Sequence, residues 1–347
     1  MSDRLLSAFD VQARACTALG SPMYAELVDL VLDDIRSRGI FADVLAGHED
    51  DPGPSGLALR LLGGLHRLVL DGRAPALAAW YPSVGGRWDA TAAWPEILAT
   101  ARRQTAYLRA MLDQPPQTNE VGRSAALVGG LLHLVDRFPL PVRLFEIGSS
   151  AGLNLRADHY LYRHAGGQWG PADSAVVIED AWHGALPPAA PLRIAQRHGF
   201  DIAPVDARTE DGRLTLLSYV WPDMTARLHR LSGAIDIARR VDADLDRMPA
   251  AEAVSRLQLS PGTLTLLWHS VTWQYLGAAE QHAVETRLKA LGAAATANTP
   301  FAWLNLEPQR RAPDAHHEFL IRVRCWPDGA DRILGSCAPH GPPVHWE

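Results

Sequence analysis

RLFEIGSSAGLNL, residues 143–155, is an apolar run that breaks into a glycine- and serine-rich turn. Its reading decides the fold. As G-x-S-x-G (Gly148, Ser150, Gly152) the turn would be the nucleophile elbow of a serine hydrolase using Ser150. A dinucleotide fingerprint G-x-G-x-x-G would need glycines at 150 and 153, where Ser150 and Leu153 stand. Read from Glu146, the pattern is E-x-G-x-S-x-G directly after a first β-strand, VRLFEI (142–147). In that reading Gly148 and Gly152 let the backbone pass close under a ligand, and small Ser149, Ser150 and Ala151 keep the pocket floor low. A helix expected to start near Ala151 would offer free N–H groups and a positive dipole end to a carboxylate. Glu146 would balance a cationic centre.

Working outward, everything before the turn reads as helix. Ser21-Pro22 is an N-cap followed by proline at the first helical position. Met23, Leu27, Leu30, Val31 and Ile35 follow at helical spacing. Further helices are expected over about 57–70, from Pro95 to Leu112, and over 123–138. PLP (139–141) marks a boundary, because proline breaks a helix and favours an extended entry. Beyond it strand and helix patterns alternate. SAVVIEDAW, LRIAQRHGFDIAP, GTLTLLWHS and PFAWLNLEP are strand-like, MTARLHRLSGAIDIARR and a segment around 278–291 are helical, and HEFLIRVRCWPDGADRIL suggests a closing antiparallel hairpin. The expected fold is α/β: a mostly parallel, Rossmann-like sheet over 139–347, preceded by an all-helical domain over 1–138. The hydrolase fold needs strands ahead of the elbow, and none is expected there.

Composition narrows the function classes. The chain has 347 residues and a formal net charge of −6, which argues against an obligate nucleic-acid partner. Lys289 is the only lysine, a sign of genome composition bias. Cys16, Cys325 and Cys337 form no C-x-x-C pair, and the histidine pairs His159/His164 and His316/His317 lack ligand spacing, so no metal is expected. MSDRLLSAFD lacks the pattern of a signal peptide, and no stretch approaches a membrane span, which makes the expected location cytoplasmic.

Glu146-x-Gly148-x-Ser150-x-Gly152 resembles the first motif of S-adenosylmethionine-dependent methyltransferases, with serine for the central glycine. SPMYAEL (21–27), PPQTNEVGRSAAL (115–127), RHGFDIAPVDAR (197–208) and LLSYVWPDMTARLHRL (216–231) are also similar to an uncharacterised bacterial family, domain of unknown function 2332. The methyltransferase resemblance implies S-adenosylmethionine as cofactor, held by Glu146, Gly148, Ser149, Ser150, Gly152 and Asn154. It also implies a ribose acid at the end of the second strand, Asp201 rather than Glu179, and an adenine-side acid at the end of the third, Asp242 with Asp244 as the alternative. The helical domain would serve as a lid. His269, after the fourth strand, is the expected general base, and Tyr275 and Trp273 either wall the acceptor pocket or pack the core. QTNEVGR places Gln117, Asn119, Glu120 and Arg123 in a polar loop suited to contacts with cofactor or a small-molecule acceptor. WPD (221–223) and Arg227 read as a helix cap, Asp223, with an i, i+4 ion pair. The alternative is a methyltransferase-fold binding or scaffolding protein without catalysis.

Overall fold

A computed structural model describes residues 2–51 and 55–347. The chain divides into two compact units. The first comprises residues 1–118 and 209–229, the second 119–208 and 230–347. The division thus differs from a single cut at 138/139: the helix expected over 123–138 groups with the sheet, and 209–229 groups with the N-terminal helices.

The first unit has no strand among its described residues. Its helices are α1 (Asp3–Ala18), α2 (Pro22–Arg36), α3 (Ile40–Val44), α4 (Leu57–Leu70), α5 (Pro75–Ala78), α6 (Ala90–Arg103) and α7 (Thr105–Leu112). Helix α8 (Ser124–Arg137) opens the second unit, and α9 (Glu210–Ser218) returns the chain to the first. Helix α6 starts before Pro95, because the Asp89 side chain accepts from the Ala92 N–H and caps it there. The buried faces of α1 through α7 share one core, which Trp221 completes. Asp223 caps a different helix from the one expected: it accepts from the Ser21 hydroxyl at 2.6 Å and the Met23 N–H at 3.1 Å, at the start of α2. His66 lies fully buried in α4. Nδ1 faces the Ser218 carbonyl at 3.1 Å, which can only accept, so Nδ1 carries the proton and Nε2 accepts from the Ser83 hydroxyl at 2.8 Å.

The second unit is mixed α/β. Its strands are β1 (Val142–Ile147), β2 (Leu161–His164), β3 (Gly167–Trp169), β4 (Val177–Ile178), β5 (Trp182–Gly184), β6 (Ile194–Asp201), β7 (Asp244–Arg247), β8 (Leu264–Ser270), β9 (Phe301–Gln309), β10 (Glu318–Trp326), β11 (Ala330–Ala338) and β12 (Gly341–Trp346). A nine-stranded sheet runs β5-β12-β11-β10-β9-β8-β1-β6-β7. The strands from β7 through β9 are all parallel, and β8 is buried along its whole length, as a strand covered on both faces must be. The expected closing hairpin is the β10–β11 pair of an antiparallel meander that continues into β12, beyond which β5 adds a parallel edge. Helices α11 (Ala250–Arg256) and α12 (Ala278–Ala294), with the part of α10 (Thr225–Ala238) from residue 230 onward, supply the connections.

The helix expected from Ala151 is not there. Leu153–His159 is a 3-10 segment kinked at Arg156, and the chain then extends into β2 of a small sheet ordered β3-β2-β4. Tyr160 and Tyr162 explain the switch. Both rings are buried, and their hydroxyls donate back to the Leu153 and Ala157 carbonyls. Aromatic residues at this spacing suit a pleated surface better than a continued helix.

Candidate functional site

Strand order reverses at β1: the chain steps outward to β6 and β7, then returns to lay β8 and β9 on the other flank. In open α/β sheets, ligands lodge outside the carboxyl ends of the strands at this kind of position. The Glu146–Asn154 turn leaves β1 there. Gly148, Ser150 and Gly152 all have left-handed backbones, with φ of 65°, 51° and 62°. Val271, at the matching tip of β8, has φ 51°. A left-handed conformation costs a non-glycine residue roughly 1–2 kcal/mol, and a β-branched residue there is a genuine outlier. Such strain gathers at functional sites.

The turn is held from several sides. The Ser150 N–H donates to Asp201 Oδ2 at 2.8 Å, so the acid at the tip of β6 does stand against the turn. The Val205 N–H donates to the Ser150 carbonyl at 3.2 Å. Asn119 Oδ1 accepts from the Leu153 N–H at 2.9 Å, and Asn154 Nδ2 donates to the Glu120 carbonyl at 3.4 Å. Arg123 reaches the Ser270 carbonyl at 3.3 Å and the Pro339 carbonyl at 2.9 Å. Asn119, Glu120 and Arg123 therefore meet the turn and the tip of β8. Gln117 belongs to the helical unit.

Glu146 and Ser149 are buried, and Glu146 Oε2, Ser149 Oγ and Asn154 Oδ1 lack partners among the described residues. Burial pushes the Glu146 carboxyl up to about 8, and the Asp201 charge adds to this; the Trp268 indole beside it, Arg123 and Arg156 act the other way. Glu146 is thus largely a neutral acid near pH 7. The charge-balancing role expected of it would require a cation close enough to draw off that proton.

His269 is buried at the end of β8. Its Nδ1 meets Glu307 Oε1 at 2.7 Å, and its Nε2 accepts from the Trp303 indole N–H at 3.0 Å. Because an indole nitrogen only donates, Nε2 is unprotonated and Nδ1–H points at Glu307. The same Glu307 oxygen accepts from the Thr272 and Trp273 N–H groups at 2.9 and 3.2 Å. The basic nitrogen exists but is covered by Trp303, and both ring nitrogens are engaged, so His269 does not serve Ser150. No strand precedes β1 among the described residues, which also tells against a hydrolase elbow.

The remaining expectations fall elsewhere. Glu179 pairs with Arg163 in the small-sheet region and is exposed. Asp242 enters β7 rather than leaving it, because the strand spans Asp244–Arg247; its charge is felt by Arg156 and Arg208. Tyr275 is 59% exposed in a 3-10 turn after β8. Beside the turn, a cleft of about 230 Å³ is bounded by Ala151, Arg156, the loop 204–208, Ala238, Ala243 and Leu245. Sequence reasoning missed Arg156, Asp206, Arg208 and Glu307. Glu307 had a visible signal, an acid inside an apolar strand pattern.

Among the described residues, no three His, Cys, Asp or Glu are arranged to hold a metal ion, and no helix is long and apolar enough to cross a membrane. No curated protein and no solved structure matches the chain. One family model does, over residues 7–346 of the sequence whose turn, strand order and polar loop are described above. The chain belongs to the bacterial family described as "uncharacterized protein conserved in bacteria (DUF2332)".

Proposed function

We propose that this chain is an S-adenosylmethionine-dependent methyltransferase with a Rossmann-like catalytic sheet, acting on a small molecule in the cytoplasm. The observation that carries the reading is the position of the E-x-G-x-S-x-G turn. It lies at the strand where the order reverses, with an acid at the tip of the neighbouring parallel strand, 2.8 Å from the turn's own amide. Two strained residues, Ser150 and Val271, flank that point.

The residues fit the nucleoside end of the cofactor. Asp201 would release the Ser150 amide and take the ribose hydroxyls, and the turn would floor the pocket. When bound, the group supplies a methyl on a cationic sulfur. The chain's own part is orientation and exclusion of water. Trp303 must turn aside before His269 Nε2 can take a proton from an acceptor, while Glu307 keeps that nitrogen bare. A net charge of −6 argues against a nucleic-acid acceptor.

A second reading, a binding module without catalysis, has its own support. The N–H groups of Ser149, Ser150, Gly152 and Leu153 already have acceptors, so a ligand must displace them. Isothermal titration of the intact chain with S-adenosylmethionine and S-adenosylhomocysteine separates the readings. Micromolar binding of both, weakened about tenfold or more by Asp201→Asn with the melting temperature preserved, supports the methyltransferase. No heat with either ligand at high micromolar concentration removes it.

A further inference from the structure

Arg156 is an unusual residue to bury. It is 4% exposed, donates Nε to the Val241 carbonyl at 2.8 Å and Nη1 to the Gly152 carbonyl at 2.7 Å, and has no carboxylate within 4.0 Å among the described residues. Carbonyl oxygens satisfy its hydrogens without neutralising its charge, and an uncompensated buried charge is costly. Burial lowers its pKa, and the positive charges of Arg197 and Arg208 add to that. Arg197 is already neutralised by a two-pronged contact with Asp158. Nη2 of Arg156 has no protein acceptor among the described residues.

A second observation points to the same place. Ala151 lines the cleft with Arg156, and its N–H is a turn amide without an acceptor among the described residues. Arg208 forms another wall, held by Asp206 through Nε at 2.9 Å and Nη2 at 3.2 Å. Asp242 lies beyond ion-pair distance but is felt by both Arg156 and Arg208. The cleft therefore combines a buried cation lacking a direct counter-ion, an open backbone donor and a second arginine. At about 230 Å³ it lies below the roughly 300–1,000 Å³ of sites that enclose a whole organic ligand.

We propose that this cleft is an oxyanion site, in which Arg156 Nη2 and the Ala151 N–H hold the phosphate or carboxylate group of a small ligand, with Arg208 at its side. A guanidinium with a neighbouring backbone N–H suits this chemistry because charge-assisted hydrogen bonds to such oxygens are the strong ones. Asp206 and Asp242 set the affinity by opposing the anion. The site shares Ala151 with the turn that would floor the cofactor pocket, but Asp201 is not part of its wall, and Arg156 and Arg208 would hold an oxyanion whether or not that turn takes S-adenosylmethionine.

The test is titration of the intact chain with sodium phosphate and with sodium acetate, each against sodium chloride at matched ionic strength, read by calorimetry and thermal shift. Phosphate or acetate should bind where chloride does not, and the better of the two identifies the group. Arg208→Gln should weaken binding about threefold to tenfold, and Asp206→Asn should tighten it by a similar factor, on the scale of one partly screened charge. Arg156→Lys should abolish it, because a point charge on a different stem loses the planar fork. Should Arg156→Lys not fold, the opposite signs at 206 and 208 still decide the matter. Asp201→Asn should leave phosphate binding intact, which separates failure here from failure of the cofactor reading. Equal response to all three salts, or no change with Arg208→Gln and Asp206→Asn, overturns the proposal.

Discussion

Glu146 shows how one carboxyl can be legible by position and misleading by charge. Its place near the end of β1 was evident from the motif, but its environment was not, because Trp268 and Asp201 reach it from strands more than fifty residues away. The folded state holds its proton more tightly than the unfolded chain, with the pKa moving from 4.5 to about 8. Stability on this account is full below about pH 4.5, falls as pH rises through that window, and levels off above about pH 8. Glu146→Gln keeps the shape and discards the ionisation. It should match the native chain near pH 4.5 and exceed it by up to a few kcal/mol near pH 8.5, at about 1.4 kcal/mol per pK unit. Denaturant unfolding at the two pH values checks this; a variant less stable at the higher pH would refute it. His269 teaches the same lesson. The histidine could be picked out at the end of its strand, whereas Trp303 and Glu307, which fix its tautomer, come from the next strand.

At the scale of elements, strands were easier to read than what joins them. VRLFEI, GTLTLLWHS and PFAWLNLEP each fall on a central strand, because continuous apolar runs of this length have few other places to go. The segment after the turn failed because its fate depends on buried Tyr160 and Tyr162 bonding backward, a tertiary matter. Helix α8 makes a testable case of packing against propensity. A Cβ on Gly129 would overlap the Trp346 indole of β12, and one on Gly130 would lie 2.6 Å from Leu304 of β9. On propensity alone Gly129→Ala should stabilise a helix interior by about 1 kcal/mol. The overlap predicts the reverse, a loss of about 1–3 kcal/mol as the indole is forced aside. A higher melting temperature for Gly129→Ala would show that Trp346 does not press on this helix.

Across the whole molecule, acid and base should find different weak points. Burial holds the His66 imidazole down at about 4, against 6.5 when exposed. The unfolded chain therefore takes up a proton that the folded helical unit refuses. Stability is lost as pH falls from about 6.5 toward 4, by up to about 3 kcal/mol. Glu146 acts in the α/β unit with the opposite sign. Hydrogen exchange followed by mass spectrometry should show protection around α4 and α9 eroding first toward acid, and protection around β1 eroding first toward base. Uniform loss at both ends would contradict this. The unit boundaries were the least legible feature at this scale, because nothing local in 209–229 says that Trp221 completes a core begun two hundred residues earlier.

The Asp223 cap on α2 has a temporal side. Its acceptor stands 202 residues downstream of Ser21. At roughly 5–20 residues per second of ribosomal synthesis, the early helices wait about 10–40 s before the segment that seals them is made. During that interval the apolar surface destined for Trp221 stays uncovered, so slowing translation between the two segments should cost yield before it costs activity.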